Sequence, residues 1–301
     1  MDFVAEVPHL PAPGETLSGR AFHTLPGGKG ANQANAAGRL ARPEHRVRMI
    51  GRVGVDSLGD QLKASLATSG VDVSGVMGTR GVPTGVALIW VEPGGQNSIV
   101  VIAGANGQVS SADVESMLRQ FEGSAVALFQ LETPLGAVEA GLRAARAAGA
   151  RTILDPAPAR LLEREILGQV DLLTPNETEA CILLGLPPKR LDPAAAPDLA
   201  ETLVTNLGVG AVVLKLGDAG CYYLGPEGQI QAPGFAVQAV DATAAGDTFN
   251  AALAVALTEG QPMQQALRFA NAAAAISVTR LGAQASAPSR PEVEDFLRAH
   301  A

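Results

Sequence analysis

From about residue 110 to the C-terminus, short apolar runs alternate with longer stretches of helical periodicity, and this alternation leaves few architectures open. The runs at 125–129, 152–154, 170–173 and 211–214 read as buried strands. Residues 135–148, 177–184, 199–206, 246–258, 264–280 and 291–298 read as helices. Strands joined through helices pair in parallel and need cover on both faces. The expected fold is α/β, a three-layer α/β/α Rossmann-like sandwich around a mostly parallel central sheet. Ligands in such sheets bind beyond the carboxyl ends of the strands.

The first hundred residues behave differently. Residues 16–24, 86–91 and 98–102 are strand-like, and the turn-rich segment 92–97 joins the last two into a hairpin. Helical stretches at 30–41 and 58–69 interrupt them. The spacing predicts a small β-sheet built from about residues 3–26 and 83–103 and projecting from one domain that spans 1–301. Such a sheet suits a lid over a ligand, an edge extension or a contact between subunits. Residues 187–197 read as a surface loop.

Composition narrows the function. A net charge of −8 without a basic stripe, and only 4% aromatic residues, argue against a nucleic-acid surface. No apolar run approaches the roughly 20 residues that span a bilayer. Cys181 and Cys221 lie in apolar stretches and read as buried thiols. A soluble, cytoplasmic protein without nucleic-acid or membrane partners is expected.

The segment Asp241-Ala-Thr-Ala-Ala-Gly-Asp-Thr-Phe-Asn250 carries the sharpest chemistry. A small-residue turn runs into an Ala-rich helix, so the amides of Ala244, Ala245 and Gly246 sit at a helix N-terminus that favours an anion. Asp247 in the same turn would repel that anion unless it serves to take a proton. An anion hole beside a base is what phosphoryl transfer to a hydroxyl requires. Asp at a helix start is also a common N-cap.

Three further segments point the same way. In Leu25-Pro-Gly-Gly-Lys-Gly-Ala-Asn-Gln33, consecutive glycines let backbone approach a ligand while Lys29 and Asn32 offer donors; a flexible turn is the alternative. Its glycine spacing is not that of a Walker A loop, and no G-x-G-x-x-G follows a strand, which weakens a dinucleotide reading. Thr174-Pro-Asn-Glu-Thr-Glu179 follows a strand: Thr174 and Glu177 fit a capping box, leaving Asn176 and Glu179 on another face, where an amide and a carboxylate suit Mg²⁺. Glu132 closes a further strand, placed to meet a sugar hydroxyl or a metal's water shell. Asp155 also ends a strand, with turn capping as its expected role.

In this order, and over nearly the whole chain, these segments resemble the ribokinase-like carbohydrate kinase family, also called the phosphofructokinase-B family. Its two main motifs look like residues 27–32 and 241–250, and its Asn-x-x-Glu motif is matched by Asn176 and Glu179. The resemblance implies ATP-dependent phosphorylation of the 5-hydroxyl of D-ribose. Deoxyribose, fructose or a nucleoside are alternative acceptors, and a catalytically impaired sugar-binding protein is the alternative of another class.

By the same resemblance, Asp247 is the base, and Ala244, Ala245 and Gly246 form the anion hole. Asp2, Gly28, Lys29, Asn32 and Glu132 hold the sugar, while Asn176, Glu179, Lys215, Gly217, Gly220 and Asn271 serve ATP and Mg²⁺. A monovalent cation, K⁺, falls to Asp241, the Thr243 carbonyl and Ser286, and a homodimer forms through the lid. Family members open with an apolar strand ending in Gly-Ser-x-Asn-x-Asp, whereas this chain starts at Met1-Asp2. The first core strand is therefore absent, and an upstream extension is expected, because losing such a strand costs on the order of 10 kcal/mol of buried area.

Overall fold

The structure, a computed structural model, describes residues 1–300. The chain opens with β1 (Asp2–Glu6) and β2 (Ala21–Leu25), then α1 (Lys29–Leu40), β3 (Val47–Gly54), α2 (Ser57–Thr68) and β4 (Val71–Thr79). The hairpin β5 (Val86–Val91) and β6 (Asn97–Ile102) follows, then α3 (Ser111–Ser116). Next come β7 (Val126–Phe129), α4 (Leu135–Ala147), β8 (Arg151–Leu154), α5 (Arg164–Leu167), β9 (Leu172–Leu173), α6 (Glu177–Leu183), α7 (Ala196–Leu207) and β10 (Val212–Lys215). A second hairpin, β11 (Cys221–Gly225) with β12 (Gly228–Ala232), precedes α8 (Ala245–Thr258), α9 (Met263–Ser277) and α10 (Arg290–Ala299).

The main sheet runs β12-β11-β10-β9-β8-β7, parallel from β7 to β10 and antiparallel beyond. Successive strand residues point to opposite faces, so both faces must be apolar. Ile153, Leu172 and Val213 pack on α1, α8 and α9, while their neighbours Leu154, Leu173, Val212 and Leu214 pack on α4, α6 and α7. This is the expected three-layer sandwich.

Strands β3 and β4 pair in parallel as a separate two-stranded sheet. Among the described residues, β3 and β7 each keep one edge without a partner strand. Both line a cavity of about 1270 Å³ that continues to Asp247 and is also walled by Ala34, Ala254 and Val255.

A four-stranded sheet, order β2-β1-β5-β6, stands apart from the sandwich. The strand-like segment 16–24 is shorter than expected. All five residues of β1 are matched by Ala21 to Leu25, so residues 16–20 have no strand to pair with and stay in a loop. Register places Asp2, Val4, Ala87, Ile89, Ile99 and Val101 on one face, and most of these line the cavity.

Candidate active site

Asp247 sits in the first turn of α8, 5% exposed, facing the first turn of α1 across the cavity. Asn32 Nδ2 donates to its Oδ2 at 3.0 Å, and Gln33 Nε2 donates to its Oδ1 at 3.1 Å. Burial raises the Asp247 pKa from 3.8 to about 6; Lys29 opposes the rise and Asp155 adds to it. A carboxylate so placed is ionised near neutral pH yet ready to take a proton.

The turn before α8 is built to present amides. Ala244 caps the helix with a left-handed φ of 58°, a conformation costing an alanine roughly 1 kcal/mol or more. The amides of Ala244 and Gly246 have no partner within the fold among the described residues. The Ala245 amide differs from expectation, because it donates to Ala242 O at 3.2 Å.

The residues expected to meet the sugar come from three places. Gly28, with φ 92°, caps α1, and Lys29 N donates to Glu132 Oε2 at 2.8 Å, which fixes that carboxylate beyond β7. Glu132 and Asp2 both have pKa values raised chiefly by burial. A Cβ at Gly27 would collide with the Asp2 carboxylate, so the consecutive glycines serve close approach between lid and loop. Asn32 Oδ1 is buried with no hydrogen-bond partner.

The Asn176–Glu179 pair corrects the capping assignment. Helix α6 begins at Glu177, two residues later than a Thr174 cap implies. Asn176 Oδ1 accepts from Glu179 N at 2.8 Å while Glu179 Oε2 accepts from Asn176 N at 2.7 Å, so these two residues are themselves the capping box. Thr174 is consumed at the strand end, where its N–H donates to Leu154 O. Glu179 Oε1 and the Asn176 amide nitrogen remain outside the box. Burial lifts the Glu179 pKa, and Lys215 opposes it.

Lys215 ends β10 beside this pair, its N–H donating to Pro175 O at 2.8 Å. Its Nζ donates to Asp155 Oδ1 at 2.9 Å and lies 3.5 Å from where a Gly246 Cβ would stand, next to the anion-hole turn. Burial works against the Lys215 ammonium, but Asp155 and Glu179 raise its pKa on balance. Asp155, 2% exposed, is not a turn cap: it also accepts from Gln33 Nε2 at 2.9 Å. The sequence alone assigns Gln33 no role; its place next to Asn32 on α1 is the one available signal.

The remaining residues expected on the nucleotide side frame a loop. Gly217 has φ 60°, and Gly220, φ 93°, packs where any Cβ would strike Ala232 O and Gly234 N. Asn271 Nδ2 donates to Ala232 O and Pro233 O, both at 3.1 Å. Asp241 ties two other loops together: its Oδ1 accepts from Thr243 N at 2.9 Å and its Oδ2 from Gly282 N at 2.8 Å. Ser286, buried nearby in sequence, donates to Ala283 O.

A buried carboxylate beside an amide-presenting turn at one helix N-terminus, both open to the same cavity, is the arrangement of a phosphotransferase site, and comparison with known proteins agrees. Residues 1–290 match the model of the pfkB family carbohydrate kinases, and the chain belongs to that family. It is 42% identical over 296 residues to the ribokinase of Haemophilus influenzae, covering 98% of this chain and 95% of that protein. The ribokinase structure from Thermotoga maritima superposes with a TM-score of 0.86 at 38% identity, covering 99% and 96% of the two chains. The structure of Arabidopsis thaliana ribokinase complexed with ribose and ATP superposes with a TM-score of 0.90 at 35% identity, covering 99% and 95%.

Proposed function

We propose that this carbohydrate kinase transfers the γ-phosphoryl group of ATP to the 5-hydroxyl of D-ribose, giving ribose 5-phosphate and ADP. One observation carries the reading: a buried carboxylate with a pKa of about 6, next to unpaired helix-terminal amides. Asp2 and Glu132 accept hydrogen bonds from sugar hydroxyls, and the orphaned Asn32 Oδ1 takes another. Lys29 and the Gly28 backbone complete the sugar's surroundings.

In the reaction, the 5-hydroxyl proton passes to Asp247 as that oxygen bonds to the γ-phosphorus, and the bond to the leaving ADP oxygen breaks. The Ala244 and Gly246 amides meet the charge on the phosphoryl oxygens, and Ala245 joins them if its long bond to Ala242 opens. Lys215, Gly217, Gly220 and Asn271 support the nucleotide side.

Glu179 Oε1, outside the capping box, would offer Mg²⁺ a carboxylate oxygen, the Asn176 amide N–H₂ is left to donate to a phosphate oxygen, and the ion would supply charge neutralisation on the phosphate side. Asp241, the Thr243 carbonyl and Ser286 are all oxygen donors, a set suited to K⁺. Homodimerisation through the lid and a cytoplasmic location complete the reading; no helix among the described residues is long and apolar enough to cross a membrane.

ADP release measured with D-ribose, deoxyribose, fructose and adenosine in K⁺ buffer tests this. D-ribose is expected to give the highest kcat/KM, and replacing K⁺ by Na⁺ to slow the reaction. Preference for another acceptor would overturn the ribose assignment, and indifference to the swap the cation site.

A further inference from the structure

Between the base and the phosphate side lies an unbroken buried chain of polar side chains. Gln33 Nε2 bridges two carboxylates, donating to Asp247 Oδ1 at 3.1 Å and to Asp155 Oδ2 at 2.9 Å. The Gln33 amide is held the right way round because Gln130 Nε2 donates to its Oε1. Asp155 uses its other oxygen on Lys215 Nζ at 2.9 Å, beside the Gly246 turn. Gln33, Asp155 and Asp247 are all buried, so each hydrogen bond acts in a low-dielectric setting.

We propose that Gln33 is a positioning residue for Asp247, and that Asp155, gripping Gln33 and Lys215 together, couples the orientation of the base to the ammonium beside the anion hole. The inference rests on the base role assigned to Asp247. An aspartate on a helix can rotate about two torsions. Asn32 fixes one oxygen but is itself committed to sugar, whereas Gln33 spends its amide on Asp247, Asp155 and Gln130 and so holds the second oxygen whether or not sugar is present. Lys215, anchored by Asp155, is kept from pairing directly with Asp247, which would neutralise the base as a proton acceptor.

The charged groups facing Asp247 are Lys29 from α1, Asp155 beyond β8 and Lys215 from β10. Their arrangement makes two substitutions act in opposite directions. Gln33→Met keeps the volume but removes a donor to the ionised carboxylate, so the Asp247 titration moves up. Asp155→Asn removes a neighbouring negative charge and frees Lys215, so the titration moves down.

The test is a ¹³C-carboxyl NMR titration of Asp247 in the ligand-free protein, alongside steady-state kinetics. Gln33→Met is expected to raise the midpoint by about half a pH unit or more. Its kcat is expected to fall roughly ten- to hundredfold, with the sugar KM within about threefold of the parent value. Asp155→Asn is expected to lower the midpoint. Midpoints that stay in place, or that move in the same direction, overturn the proposal. A loss carried by sugar KM alone does so too. If Asp155→Asn does not fold, the Gln33→Met midpoint alone decides. The NMR arm needs no turnover, so failure of the parent protein to phosphorylate any sugar would count against the kinase reading and leave this coupling separately testable.

Discussion

Asp247 is both the most useful residue of this chain and an expense to its stability. Its pKa is 3.8 when unperturbed and about 6 when buried here, so the folded state holds the proton more tightly than the unfolded chain. The resulting stability is fully present below pH 4, is lost as pH rises through about 6, and above that leaves a cost on the order of 3 kcal/mol. Asp247→Asn removes the charge, and its side-chain oxygen can still accept from Asn32 Nδ2. The variant is expected to melt higher than the parent at pH 8, by a margin that shrinks toward pH 5. Thermal scans giving an equal margin at both pH values would contradict the buried-charge account. Asp247 was legible in sequence because its anion-binding turn is local. The roles of Gln33 and Asp155 were not, because the two meet across 122 positions.

Among elements, those with strong apolar runs were readable and those relying on pairing were not. β3 and β4 alternate polar and apolar residues and are broken by Gly51, Gly54, Gly75 and Gly78, so neither resembles a buried strand. The β11–β12 hairpin turns at Pro226-Glu227, where no Asn-Gly or Gly-Gly marks it. Helix α6 was found, but its cap was placed on Thr174, because Thr-Pro-x-Glu and Asn-x-x-Glu overlap and local rules alone do not choose between them. Glu179 therefore caps α6 and, in the proposed reaction, would also offer its other oxygen to the metal. Glu179→Gln keeps the cap, since glutamine also serves in a capping box, so unfolding is expected to change little while the Mg²⁺ giving half-maximal rate rises. An unaltered Mg²⁺ titration would remove Glu179 from the metal site.

For the molecule as a whole, the projecting sheet is the least self-sufficient part. Ile99 is 54% exposed and Val101 67%, and the two share the face that carries Asp2. An apolar face this open suits a second copy of the same sheet. Sedimentation velocity is expected to find a dimer that Val101→Asp dissociates; a monomeric parent at micromolar concentration would contradict lid pairing. The proposed site depends on the same long-range assembly, since Asp2, Asn32, Glu132 and Asp247 come from segments far apart in the chain. The most direct test is therefore turnover with the base removed: ADP release by Asp247→Asn with D-ribose, read beside calorimetric ribose binding. The account predicts kcat lower by roughly 10²–10⁴ with ribose affinity nearly intact. Turnover equal to that of the parent chain would contradict it.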